Sequence, residues 1–130
     1  MKKRLLGHTA YLTEYHIVWV TKYRKPVLNA TRRKYLASLF PKILATMPGC
    51  EVIEYNILTD HIHMAMIIPP KYAVSTVVGR IKGISSSLLR KRFRRLEEAY
   101  WKDNMVWSPG YFVSTVGRDE DRVIEYVRNQ

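Results

Sequence analysis

Cysteine is nearly absent from this sequence, and long apolar runs and internal repeats are missing. The single cysteine among 130 residues, Cys50, excludes an intramolecular disulfide framework and a cysteine-based zinc cluster, so we interpret it as a buried structural thiol. No stretch reaches the roughly 18 consecutive apolar residues of a membrane span, and the first residues lack the apolar core of a signal peptide. We therefore expect a soluble, cytoplasmic protein without a membrane partner.

Acidic residues are also scarce, and two segments of the chain have almost none. The chain has 22 Lys and Arg against 11 Asp and Glu, which gives a net charge of +11. Residues 1–42 contain ten basic side chains and one acid, and residues 80–95 contain seven basic side chains and no acid. Such clustering indicates a polyanionic partner, most simply nucleic acid. The alternative is a generically basic, solvated surface.

The remaining pattern predicts one α+β domain over residues 1–130. With 47% hydrophobic residues, the chain can bury a core. Alternating or β-branched segments predict strands at residues 15–23, 50–59, 61–68 and 111–117, and helical spacing predicts helices at residues 29–47, 73–98 and 118–130. The order β-α-β-β-α-β followed by a helix predicts a ferredoxin-like, split βαβ fold, an antiparallel sheet with helices on one face.

Two histidines interrupt the apolar segment "ILTDHIHMAMIIPP", and a strand meant only for burial has little use for them. Because side chains two apart on a strand share a face, His61 and His63 should project together while Ile62 and Met64 fill the opposite face. Paired imidazoles can form half of a metal site, or they can simply be hydrogen-bonded on a solvated face. Asp60 can orient a metal-bound histidine or shape the hairpin turn. His8 and His16 have no such neighbour in sequence.

The C-terminal segment "EYVRNQ" offers a phenol and an amide four residues apart. On a helix, Tyr126 and Gln130 would share a face. A core tyrosine is the plainer interpretation of Tyr126. A tyrosine can, however, attack a phosphodiester directly and form a covalent phosphotyrosine, and a divalent cation on the imidazoles would stabilise the developing charge.

Five fragments in order resemble one family. They are "YHIVWVTKYRKPVL", "TDHIHM", "VVGRIKGISSSLLRKRF", "MVWSPGYFVSTVG" and "YVRNQ". Together they resemble the single-tyrosine HUH transposases of the IS200/IS605 insertion-sequence family. The resemblance implies that His61, His63 and Gln130 are metal ligands for Mg²⁺ or Mn²⁺ and that Tyr126 is the nucleophile.

The same resemblance implies an activity. Members of this family are homodimeric enzymes that cleave and rejoin single-stranded DNA at hairpin-bearing insertion-sequence ends through a 5′-phosphotyrosine intermediate. The sequence is compatible with a site inside one chain and with a site shared between two. Two alternatives stay open: a domesticated relative that cleaves palindromes, and a non-catalytic module that binds single-stranded nucleic acid.

Basic side chains are the predicted DNA contacts, with a solvated surface as the alternative for the first three. They are Lys22, Arg24, Lys25, Arg90, Lys91, Arg92, Arg94 and Arg95. The tryptophans Trp19, Trp101 and Trp107 can stack on unpaired bases, although core or dimer packing is the better interpretation for at least two of them.

Overall fold

The secondary structure follows the predicted order over most of the chain. The computed structural model describes residues 4–6, 9–11, 13–100 and 105–115. The strands in these ranges are β1 (Arg4–Leu6), β2 (Thr9–Tyr11), β3 (Glu14–Val20), β4 (Glu51–Ile57), β5 (His61–Ile67) and β6 (Phe112–Thr115). The helices are α1 (Ala30–Leu44), α2 (Val74–Arg92) and α3 (Leu96–Ala99), and a 3-10 turn covers Lys22–Arg24. The predicted helix over residues 118–130 lies outside the described residues.

The four longer strands form one antiparallel sheet in the order β4-β5-β3-β6. The strand β5 is therefore inserted between β3 and β4, which α1 connects, and this is the split βαβ arrangement. The predicted ferredoxin-like α+β fold is confirmed. The strands β1 and β2 form a separate two-stranded sheet that the sequence did not predict.

One hydrophobic core joins the sheet to α1 and α2. The strands contribute alternate residues, such as Ile17, Trp19, Ile62 and Met64, all of which are essentially inaccessible to solvent. The helices contribute apolar residues at helical spacing, among them Leu36, Phe40, Val77 and Ile81. Trp19 and Trp107 are buried edge to face at 6.0 Å between ring centroids, so both are core residues. Cys50 is a buried free thiol, as predicted, and burial raises its pKa.

Several predicted elements end earlier than expected, and two of these ends have a cause in the local backbone. The strand β3 stops at Val20 because the chain turns there: Tyr23 and Arg24 have φ angles of 60° and 50°, which no strand accommodates. The helix α2 stops at Arg92 because Phe93 leaves helical geometry. In that position Phe93 packs edge to face against Tyr35, with 5.5 Å between ring centroids.

Polar side chains of α2 hold the segment that leads into β6. The ammonium of Lys82, which is 6% exposed, donates to the carbonyl oxygens of Ser108 and Gly110 at 2.8 and 2.6 Å. Burial lowers the pKa of Lys82. The indole nitrogen of Trp107 donates to the hydroxyl of Ser85 at 2.9 Å. These bonds fix β6 at the edge of the sheet, next to β3.

Gly49 should not tolerate a side chain. Its φ is +96°, and a Cβ atom there would lie 2.7 Å from Cγ of Pro69. We expect Gly49→Ala to lower the free energy of unfolding by about 1–3 kcal/mol in a urea titration. The matched control is Gly79→Ala, in the exposed interior of α2, where nothing lies within 4 Å. Alanine should stabilise that position by about 0.5–1 kcal/mol, and equal effects at both sites would contradict this account.

Candidate active site

The two histidines of the motif lie side by side on the sheet face opposite α1 and α2. Strand alternation sends Ile62 and Met64 into the core and His61 and His63 to the other face, as predicted. The His61 and His63 rings are 4.9 Å apart between centroids and nearly perpendicular, at 73°. His63 is 4% exposed, whereas the side chain of His61 is 19% exposed. His63 is therefore buried, whereas solvent can reach His61.

Asp60 contacts His61 through its side chain and the end of β3 through its backbone. Its carboxylate oxygen Oδ1 lies 2.6 Å from Nδ1 of His61 and accepts a hydrogen bond from that ring. Its backbone carbonyl accepts from the Thr21 amide at 2.9 Å, which ties the β4–β5 turn to the end of β3. The hydrogen bond with His61 is the main cause that lowers the pKa of Asp60, and Arg24, 3.3 Å from Oδ2, adds to it.

His16, which had no predicted partner, lies beside His63. Its Nε2 is 3.3 Å from Nδ1 of His63, and the two rings are nearly parallel, with an interplanar angle of 14° and 5.6 Å between centroids. Burial lowers the pKa of His16. Burial, followed by the neighbouring His61 and His16, lowers the pKa of His63 to about 4. His63 is thus a neutral imidazole at physiological pH, which is the form that binds metal ions.

His61 and His63 fit two positions of a metal site. The Nδ1 of each ring faces a neighbouring side chain, which leaves Nε2 as the nitrogen that would bind. Within the described part of the chain, no three His, Cys, Asp and Glu side chains form a group that could hold a metal ion. A metal ion on this pair would therefore have at most these two histidines as ligands of those four types among the described residues. The predicted ligand Gln130 and the predicted nucleophile Tyr126 both lie outside the described residues, as does Trp101.

The predicted DNA contacts lie in two neighbouring basic segments. In the first, Arg24 is exposed, whereas the half-buried Lys25 donates to the Ala99 carbonyl. That contact brings the 3-10 turn next to α3, which directly follows the second segment. In the second segment Arg90 is partly buried, and the exposed residues are Lys91, Arg92, Arg94 and Arg95.

Sequence comparison identifies the family. Residues 9–130 match the family model for IS200-like transposases. The chain is 34% identical over 128 residues to the transposase of insertion sequence IS200 from Salmonella typhimurium, covering 98% of this chain and 83% of that protein. It is 31% identical over 121 residues to the ISDra2 transposase TnpA of Deinococcus radiodurans, covering 92% of this chain and 85% of that one.

Structural comparison agrees. A crystal structure of a Deinococcus radiodurans protein assigned as a transposase superposes with a TM-score of 0.77 at 29% identity, covering 100% of this chain and 98% of the other. A REP-associated tyrosine transposase, solved bound to a REP hairpin, shares the fold with a TM-score of 0.62 at 16% identity, over 95% of this chain and 70% of that one. Of the helices in the described ranges, none has the length and apolarity of a membrane span. The family match over residues 9–130, the 34% identity to the IS200 transposase and the shared fold show that this chain belongs to the IS200-like transposases.

Proposed function

We propose that this transposase cleaves and rejoins single-stranded DNA at insertion-sequence ends through a covalent 5′-phosphotyrosine on Tyr126. The observation that carries the proposal is the geometry of His61 and His63, two neighbouring imidazoles on one sheet face whose Nδ1 atoms both face fixed neighbours. A non-catalytic binding module would have no use for histidines held in this way. A domesticated relative that cleaves palindromes would share the chemistry and differ only in its DNA.

The proposed reaction is a transesterification. The phenolic oxygen of Tyr126 attacks the scissile phosphorus, the bond from phosphorus to the 3′ oxygen breaks, and the phenolic proton is lost while the 3′ oxygen gains one. Attack by a 3′ hydroxyl on the phosphotyrosine reverses these steps, and no ATP is needed because the phosphodiester is conserved. A Mg²⁺ or Mn²⁺ ion held by His61, His63 and Gln130 would supply Lewis acidity at the phosphate.

The test of the proposed function is a cleavage assay. A labelled single-stranded oligonucleotide carrying a hairpin is incubated with the full chain and Mn²⁺ and then resolved on a denaturing gel. We expect a labelled protein–DNA adduct that forms with Mn²⁺ and does not form with EDTA. Binding of the oligonucleotide without metal-dependent cleavage would instead favour the non-catalytic module.

A homodimer is part of the proposal, with the site either within one chain or shared between two. The two arrangements give opposite results when His63→Ala and Tyr126→Phe chains are mixed. A shared site leaves one intact site in each mixed dimer, whereas a site within one chain leaves none. Recovery of the adduct therefore identifies a shared site.

The exposed arginines at the end of α2 and just after it should bind the DNA backbone. Because residues 80–95 contain no acid, their charges have no compensation within that stretch. We expect Arg92→Gln with Arg94→Gln to weaken oligonucleotide binding and to reduce the slope of log affinity against log salt by about 1.4, or about 0.7 for each lost phosphate contact. Fluorescence anisotropy at several salt concentrations measures both quantities.

The control removes the same charge from exposed positions of α1, with Lys34→Gln and Lys42→Gln. That double variant should keep the parent slope. A slope that stays unchanged in the arginine variant would place these arginines on a solvated surface instead of the DNA.

A further inference from the structure

His16 lies within hydrogen-bonding distance of His63 on the site face, and it comes from a different strand. Val18 of β3 is paired with His63 of β5, so His16 is a diagonal neighbour of His63. The two rings are almost parallel, and Nε2 of His16 lies 3.3 Å from Nδ1 of His63. On its other side, His16 contacts the edge of Phe112, with 6.5 Å between ring centroids. The strands on both sides of His16 therefore fix its ring.

A hydrogen bond between two imidazoles restricts their tautomers. His16 and His63 are 8% and 4% exposed, a setting that disfavours charge on either ring. One neutral ring must then donate while the other accepts. If His63 donates from Nδ1, its lone pair is on Nε2, at the far edge of the ring. If His63 accepts at Nδ1, Nε2 carries the proton and cannot bind a metal ion.

We propose that His16 is a positioning residue that accepts a hydrogen bond from Nδ1 of His63 and thereby keeps the lone pair of His63 on Nε2. This inference rests on the proposed function, in which Nε2 of His63 binds the cation. It parallels the contact on the other ligand, where Asp60 accepts from Nδ1 of His61 at 2.6 Å. Ligating histidines commonly donate their second ring nitrogen to an acceptor of this kind.

The two ligands differ in the acceptor that orients them. His61 faces a carboxylate, which makes its imidazole more electron-rich, whereas His63 faces an imidazole without a formal charge. His61 is also the more exposed of the two, since its side chain is 19% exposed. Asp60 accepts a hydrogen bond from Nδ1 of the accessible ligand, His61. His16 does the same for the buried ligand, His63.

The first experiment is made on the metal-free parent protein. Long-range ¹H–¹⁵N correlation spectra distinguish a protonated Nδ1 from a protonated Nε2 for each neutral histidine. We expect His63 to carry its proton on Nδ1 and His16 to present an unprotonated Nε2. A proton on Nε2 of His63 contradicts the proposal directly, without any variant.

The second experiment compares two variants in Mn²⁺ binding by calorimetry. His16→Phe keeps a ring against His63 but removes the acceptor, and we expect the affinity to fall about 10- to 100-fold. His16→Gln places an amide oxygen near the former Nε2 and should restore most of the affinity. Thermal melting checks that both variants fold like the parent.

The outcomes separate this inference from the proposed function. Parent affinity in His16→Phe, or an equal loss in His16→Phe and His16→Gln, would contradict the role of His16 even if the parent forms the DNA adduct. A parent protein that forms no adduct at all contradicts the proposed function, whatever the tautomer of His63.

Discussion

Replacing Tyr126 with phenylalanine should abolish the covalent protein–DNA adduct. A free tyrosine has a pKa of about 10, so its phenol is a weak nucleophile at neutral pH and depends on charge stabilisation at the phosphate. Phenylalanine keeps the aromatic ring but removes the attacking oxygen. We expect adduct formation to fall by ~10³-fold or more, as for the loss of other covalent nucleophiles, while hairpin binding and thermal stability stay at the parent values.

Tyr111→Phe is the matched control. Tyr111 is an exposed residue directly before β6, and it is one of the eight other tyrosines of the chain. It should form the adduct at the parent rate. The nucleophile is misassigned if Tyr126→Phe still becomes attached to the 5′ end of cut DNA.

Removing either histidine of the motif should separate cleavage from binding. In the proposed function His61 and His63 take part in the chemistry, whereas the basic surface supplies most of the affinity for DNA. We therefore expect His61→Ala and His63→Ala to lose detectable strand cleavage while they bind hairpin DNA within a few-fold of the parent. His61→Ala is the cleaner variant because its side chain is partly exposed, whereas His63 is buried. Equal losses of cleavage and binding in both variants would contradict this division.

Replacing Asp60, whose carboxylate contacts Nδ1 of His61, should reduce cleavage less than removing a histidine does. Asp60→Asn keeps an oxygen near Nδ1 of His61 but removes the charge, so cleavage should fall by about 10- to 100-fold and not disappear.

Imidazole with amide oxygen is a borderline ligand set, and Mn²⁺ should therefore support cleavage at least as well as Mg²⁺. The assay is the same denaturing gel with each metal in turn.

The alternation of side chains along the sequence was sufficient to predict the strands of the sheet and the face on which His61 and His63 lie. Alternation along residues 61–67 places Ile62 and Met64 in the core and His61 and His63 opposite, because strand geometry depends only on local spacing. The helix α1 continues through Pro41, and its N-terminus is capped by Asn29, whose side chain accepts from the Arg32 amide. Capping residues act within one turn, so they can be read from sequence.

The missed features depend on contacts between distant segments. His16 reaches His63 only because β3 pairs with β5 in one particular register, which no local pattern encodes. The end of α2 depends on Phe93 packing against Tyr35, 58 positions earlier in the chain. The spacing of Tyr126 and Gln130 was visible in the sequence, but the roles of both residues rest on the family resemblance and stay predictions.

The most direct test of the central claim is to locate the DNA on the protein. The adduct is formed with a single-stranded hairpin oligonucleotide and Mn²⁺, digested with trypsin and nuclease, and analysed by tandem mass spectrometry. We expect a phosphate-linked nucleotide on Tyr126, in the peptide that begins after Arg122 and ends at Arg128. A nucleotide on any of the other eight tyrosines, or cleaved DNA with no modified peptide, would contradict it.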